Sequence, residues 1–338
     1  MPTHQQIAAA AEIGMFATRP TAPGAAQEAL RLLTTALHCD AASLVWMDPF
    51  DDAHRPLASL GYAAPTAQSL AVEFSRTPWF TILLEGELPP SISTEETQSF
   101  RCGWFYEEHI APAGFRDGMT GALRRQGAYV GLVHLSSTDA NRFDHEVRQV
   151  LASVMPALAA MADAQGRAAE AVPADGCAAL VSGTSIVALP GRETPPMLED
   201  DSFRHVVEEF VRSGGARLHL LWPAGRIWYR VALVAPELPV PRPETALVHC
   251  RPTDIPYRLT GRELDVLTRL ALGRSNQAIA EEFFLSLRTI HTHVEHILRK
   301  TMTATRAEAA ALAVGEGVLR PVPGMPRHVG VRRFVQRS

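Results

Sequence analysis

Lysine is almost missing from this chain: of 32 basic residues in 338, only Lys300 is a lysine and the rest are arginine. Alanine is abundant too, and the bias suits a GC-rich genome, but its consequences are chemical. A phosphate-binding loop of the form G-x-x-x-x-G-K-[ST] has no lysine to use before position 300. The same lack removes a Schiff-base lysine, and the lysine that receiver domains keep beside a phosphorylated aspartate. Cysteine is scarce as well. Cys39, Cys102, Cys177 and Cys250 lie far apart with no C-x-x-C pair, which speaks against a disulfide frame or zinc site and for reduced thiols. No apolar run is long enough to span a bilayer and no charged-then-apolar leader is found, so a soluble, cytoplasmic protein is expected. A net charge of −4 gives no global basic signature, so any contact with nucleic acid has to come from a local surface. A nucleophile elbow, H-E-x-x-H and paired glycine-rich motifs are absent too; neither an enzymatic activity nor a cofactor or metal is expected.

What is present reads as a globular chain of two or three domains. Residues 1–165 have a mixed pattern: helices over 7–16 and 25–37, a strand in "AASLVWM" (41–47) ended by Asp48-Pro49, and a second short strand at 56–60. Prolines punctuate the middle, at Pro65, Pro78, Pro89 and Pro90, and "FRCGWFYEEHI" (100–110) is a helix interrupted at Gly103. "GMTGALRR" and "AYVGLVHLSS", separated by Gln126-Gly127, read as a hairpin. A long amphipathic helix follows, with Val147, Val150, Leu151, Val154, Leu158 and Met161 in helical period and a kink expected at Pro156. The small, polar stretch "QGRAAEAVPADG" (165–176) marks a boundary. Residues 175–252 then alternate as strands around one helix, "SFRHVVEEFVRSGG". Residues 257–319 are helical throughout, and 320–338 form an arginine-bearing flexible tail.

Three histidines, His291, His293 and His296, crowd "RTIHTHVEHILRK" (288–300). The apolar residues Ile290, Val294, Ile297 and Leu298 make this stretch a helix, on which each residue advances by roughly 100°. His291 and His293 therefore sit on nearly opposite faces, which is poor geometry for a metal site. The surrounding segment parses into four helices with their own start signals. Thr260-x-x-Glu263 and Thr305-x-x-Glu308 are capping boxes, and Ser275 and Ser286 are caps for the two helices between. A short helix, a tight turn at 284–286 and a longer helix make a helix-turn-helix, whose second helix enters the major groove.

Over about sixty residues this segment resembles the LuxR-type (GerE-type) DNA-binding domain. The resemblance is carried by Leu259-Thr260-x-Arg262-Glu263, Val266-Leu267, Gly273, Ser275-Asn276, Ile279-Ala280, Ser286, Thr289-Ile290, His293-Val294, Ile297-Leu298, Lys300 and Arg306-x-Glu308-Ala309. It implies that His291, Thr292 and Glu295 face bases, and that Arg288, Thr289, His293, Arg299 and Lys300 grip phosphates. It further implies double-stranded DNA bearing an inverted repeat as partner, a homodimer, and RNA polymerase as a further partner. Many relatives carry a basic residue where His291 and Glu295 stand here. Glu295 either reads a C·G pair through cytosine N4 or pairs with a neighbouring arginine. The turn after the recognition helix is altered to "KTMT" (300–303), which leaves the docking of the last helix open.

The order of elements in residues 1–165, with "GAYVGLVHLSS" followed by F-D-H-E and a long helix, resembles a GAF domain. Residues 175–252 resemble a PAS-like sheet in "ALVSGTSIVALPG" and "IWYRVALV". The expected fold is thus an α+β sensor region of antiparallel sheets flanked by helices, joined to an all-α four-helix DNA-binding domain. The expected function is transcription regulation under control of a small-molecule effector; the alternative is a regulator with no small ligand, whose N-terminal region serves dimerisation or partner binding. Phe74, Trp79, Phe80, Trp104, Tyr106 and His109 form an aromatic cluster that either lines a ligand pocket or fills a core. His134, on the second hairpin strand, is either a haem or metal ligand or a satisfied or surface histidine.

Overall fold

The computed structural model describes residues 3–16, 24–86, 88–321 and 333–336. Most of the arginine-bearing tail, including Arg327, Arg332 and Arg337, lies outside the described residues. Two compact units divide the chain. One runs to Arg167 and takes in Glu237–Pro241; the other comprises Ala168–Pro236 and everything from Arg242 on.

The first unit is built from α1 (His4–Phe16), α2 (Ala25–Leu37), β1 (Ala41–Asp48), β2 (Ala53–Leu60), α3 (Ala64–Val72), α4 (Pro78–Glu85), β3 (Asp117–Arg125), β4 (Ala128–Ser137) and α5 (His145–Ala162). Its sheet is antiparallel, in the order β2-β1-β4-β3. The β3–β4 hairpin turns on Gln126 and Gly127, both at positive φ (50° and 83°), as a tight two-residue turn between right-twisted strands requires. Two of the four middle prolines that read as punctuation instead open helices: Pro65 and Pro78 stand in the first turns of α3 and α4, where a missing N–H costs nothing. "FRCGWFYEEHI" becomes a 3₁₀ turn, Glu95–Cys102, and a single π-turn, Tyr106–Ile110, broken at Gly103 as the sequence suggests.

The sheet is covered on both faces. On one, Gly121 leaves room for α5: a side chain there would come within 2.9 Å of Met155 Sδ. On the other, Val45 and Leu132 join Phe74, Phe100 and Phe105 in an apolar cluster. This is why β1 is buried almost end to end and reads as a continuous apolar run.

The second unit begins with α6 (Ala164–Glu170), which crosses the division, and a sheet of β5 (Cys177–Ser182), β6 (Ser185–Ala188), β7 (Arg217–Ala224), β8 (Ile227–Val234) and β9 (Thr245–Thr253), ordered β6-β5-β9-β8-β7. Helix α7 (Asp201–Ser213) is capped by Asp200 and stopped by Gly214 at φ 64°. Four helices complete it: α8 (Gly261–Ala271), α9 (Asn276–Phe283), α10 (Leu287–Thr301) and α11 (Arg306–Glu316). The sheet and the helices share one apolar core, in which Phe203, Phe210, Leu220 and Val231 are continuous with Leu264, Leu267, Ile290 and Ile297. The chain after α11 adds to the sheet: Leu221 N donates to Leu319 O (2.8 Å), and Gln336 exchanges backbone bonds with Arg217. The α+β sheets with flanking helices and the four-helix C-terminal region are the fold class the sequence implies. No described helix is long and apolar enough to cross a membrane.

Gly61 sits at φ 76°, and a side-chain carbon there would lie 2.1 Å from the Asp40 carbonyl oxygen. Gly61→Ala should destabilise the protein by about 2 kcal/mol or more, seen as a lower urea midpoint. A loss under about 0.5 kcal/mol would mean the β2–α3 turn is not fixed as described.

Candidate nucleic-acid interface and enclosed cavity

Helix α8 starts on a complete capping box: Thr260 N donates to Glu263 Oε2 (2.7 Å), and Glu263 N donates to Thr260 Oγ1 (3.2 Å). Ser275, Ser286 and Thr305 cap α9, α10 and α11 through the backbone N–H groups of Ala278, Thr289 and Glu308. The turn between α9 and α10 places Phe284 in the left-handed region (φ 54°) with 95% of its surface exposed.

Helix α10 buries Ile290, Ile297 and Thr301 and half-buries Val294 and Leu298. Its opposite face presents Arg288, His291, Thr292, Glu295 and Arg299 to solvent, with Thr289 and His293 half-buried at the margins. Thr289 Oγ1 lies 2.8 Å from Ser286 Oγ, and Thr292 Oγ1 donates to the Arg288 carbonyl (3.2 Å). Glu295 makes no ion pair with any described residue, so the alternative of pairing with a neighbouring arginine finds no partner. Five of the eight residues expected at a DNA surface are thus brought to one side of one helix, with Thr289 and His293 at its margins.

Lys300 is the exception. Its Nζ donates to Glu263 Oε2 (2.6 Å) and to the Arg258 carbonyl (3.1 Å), so it is turned inward and not toward a phosphate. The reason is electrostatic: Glu263 is 3% exposed, and a carboxylate that deep needs a counter-charge. His296 Nδ1 lies 3.7 Å from the other oxygen of the same carboxylate. Burial alone would push the Glu263 carboxyl up; Lys300 and Thr260 more than offset it and hold it below its usual 4.5. On the other side of α8, the buried Arg269 guanidinium bonds Glu282 of α9 (2.7 and 3.0 Å) and lies over the Phe283 ring.

The first unit contains a cavity, lined by only part of the expected aromatic cluster. It is a small, half-open cavity of about 50 Å³. Phe74 and Trp79 line it, together with Phe100 and Phe105. Phe80, Trp104, Tyr106 and His109 do not. Phe80 packs edge-on against His54 and Tyr129 (5.8 and 5.7 Å), and Trp104 is 41% exposed. The Tyr106 hydroxyl donates to the Phe115 carbonyl (3.2 Å), and His109 Nε2 sits 3.3 Å from Glu73. Phe80 and Tyr106 pack against the same apolar cluster from outside the cavity.

The polar side of the cavity comes from Ser91, Thr120, His134 and Ser136. His134 is 1% exposed, with Nδ1 3.0 Å from Thr120 Oγ1 and its ring edge-on to Phe74 (5.0 Å). It is not a surface histidine, and its Nε2 has no hydrogen bond of good geometry, although the Leu70 backbone interacts with the ring. Burial, then the nearby His54, pushes its pKa down to about 3; the Leu70 carbonyl opposes this only weakly. The sequence signal was there to read: Leu132, His134 and Ser136 alternate on one face of a strand whose other face is apolar.

With this geometry in place, the C-terminal helices have the make-up of a helix-turn-helix DNA-binding domain. Residues 257–313 match the bacterial regulatory proteins of the luxR family, so the chain carries a LuxR-type domain. The uncharacterized transcriptional regulatory protein YhcZ of Bacillus subtilis is 50% identical over 58 residues, 17% of this chain and 27% of that protein. The transcriptional regulatory protein LiaR of the same organism is 38% identical over 68 residues, 20% and 32% of the two chains. The matched part thus spans about a third or less of these relatives. Among solved structures, the GAF domain of a phosphoenolpyruvate-protein phosphotransferase from Coxiella burnetii is 21% identical, covering 50% of this chain and 100% of that one with a TM-score of 0.36.

Removing the Lys300 charge, as in Lys300→Met, leaves Glu263 buried and unpaired and should cost about 2–3 kcal/mol of stability. Because the folded-state Glu263 titrates below 4.5, its contribution is fully present above that pH and is lost as pH falls through the lower folded value. Unfolding free energy measured against pH should therefore drop less in the variant than in the parent across that range. Equal slopes would dissociate Glu263 from Lys300.

Proposed function

We propose that the protein is a dimeric transcription regulator that binds double-stranded DNA through α10 and whose N-terminal unit answers to a small molecule. The observation that carries this is the two-sided character of α10: Ile290 and Ile297 fix it to the domain, while Arg288, His291, Thr292, Glu295 and Arg299 stand free along the other side. A helix so held offers side chains to base edges in the major groove, N-terminal end first. Thr292 and Glu295 supply a hydroxyl and a carboxylate for direct readout, the latter suited to cytosine N4. Arg288 and Arg299 supply charge for phosphates and a salt-dependent affinity. A dimer places two such helices about one turn of DNA apart, roughly 34 Å, over an inverted repeat.

The test begins with selection of binding sites by the full-length protein from a random duplex pool. Arg299→Ala should weaken binding to every sequence alike, and should lower the salt slope by about one. Thr292→Ala and Glu295→Gln should each relax preference at one base position, by about 1–3 kcal/mol, without a matching change in the salt slope. If all three altered only overall affinity, the base-reading face would be misassigned.

A further inference from the structure

In the first unit, the face of the sheet turned away from α5 carries polar groups where a covered sheet normally has apolar ones. His134 of β4 stands in register with Ser43 of β1 on one side and Thr120 of β3 on the other, and Ser136 follows two residues on. Ser43, His134 and Ser136 are all buried. Burying such groups costs about 1–3 kcal/mol each unless they are hydrogen-bonded. Ser136 Oγ accepts from Tyr62 (2.7 Å) and His134 Nδ1 meets Thr120, but His134 Nε2 makes no hydrogen bond of good geometry, and His134 lines the cavity. No residue lining the cavity is charged.

Resting on the reading that this unit answers to a small molecule, we infer that the cavity takes an uncharged, single-ring ligand bearing a hydrogen-bonding group, held at His134 Nε2 between Phe74, Trp79 and Phe100. An anion or cation would enter without a counter-charge, at a desolvation cost that an apolar wall does not return. At about 50 Å³ the space has to widen, by displacement of the half-buried Trp79 side chain at its edge, to take one ring, and it is far too small for a nucleotide or a haem. The Thr120 hydroxyl is free to donate to Nδ1 or accept from it, so His134 Nε2 presents either a proton or a lone pair. A primary amide satisfies both cases.

Benzamide and benzoate, alike in shape and different in charge, are the probes, titrated into the full-length protein at neutral pH and followed by saturation-transfer NMR. Benzamide is expected to bind roughly tenfold or more tightly than benzoate. It should also shift the ring ¹⁵N signal of His134 Nε2, assigned by its loss in His134→Gln. His134→Leu should weaken benzamide roughly tenfold, and His134→Gln, which keeps a donor and an acceptor, should weaken it no more than about threefold. Equal binding of benzoate overturns the inference. So does an unmoved Nε2 signal in the parent, a readout that stands even if a variant fails to fold, and so does absence of benzamide binding. Titrating the selected DNA in the same samples separates the two readings. DNA binding intact with no benzamide bound sinks the cavity assignment alone. Benzamide bound at His134 with DNA binding lost throughout sinks the regulator reading alone.

Discussion

The set of the recognition helix rests on one buried carboxylate. Glu263 closes the first turn of α8 on Thr260 and, 37 residues further along the chain, receives the ammonium of Lys300 from the last turn of α10. A charge this deep is tolerated when short charge-assisted bonds fill its lone pairs, and both oxygens here face polar partners. The bond ties the last turn of α10 to the first turn of α8, beside the buried Ile290 and Ile297 that seat the same helix. Arg269 does the matching work at α9, through Glu282 and the Phe283 ring. Helix α8 is thus the hub of the domain, with an acid directed to one neighbour and a base to the other.

The helices also share their core with the sheet of the same unit. Gly317 approaches β7 so closely that a side-chain carbon would lie 2.5 Å from His219 Cβ, and Arg230 donates to the Glu316 carbonyl (2.9 Å). Tyr257 reaches the Glu316 carboxylate (2.7 Å), and Arg320 sits over Trp228 while bonding Asp265. Packed interiors transmit displacement poorly by bending and well by repacking. A change in this sheet would therefore be felt at the ends of α8 and α11 rather than absorbed between them.

Local chemistry was legible in the sequence, and long-range chemistry was not. The capping box of α8, the stop at Gly214, the Gln126-Gly127 hairpin and the apolar stripe of α10 are written in short spacings and appear as written, whereas at α11 only the Thr305 half of the expected box forms and Glu308 accepts from Ala304 N instead. Pro65 and Pro78 misled because the same ring that breaks a helix interior suits a first turn. Lys300 read as a phosphate contact because its partner lies in another helix, and no spacing reveals that Glu263 is buried. The cavity shows the same limit. Its aromatic candidates were grouped by nearness in sequence, whereas its polar side is assembled across two strands by register, from Thr120, His134 and Ser136, with Ser91 beside them. Burial is a property of the assembled chain, and the residues whose roles depend on it were the ones misplaced.

The scarcity of lysine acquires a different meaning once Lys300 is seen in place. All side-chain amine chemistry open to this chain converges on a single atom, and that atom is the counter-ion of Glu263. Acylation there would erase one charge and strand another, coupling a covalent mark to the tie between α8 and α10. Arginines elsewhere can be exchanged for one another in charge alone; this amine has no understudy.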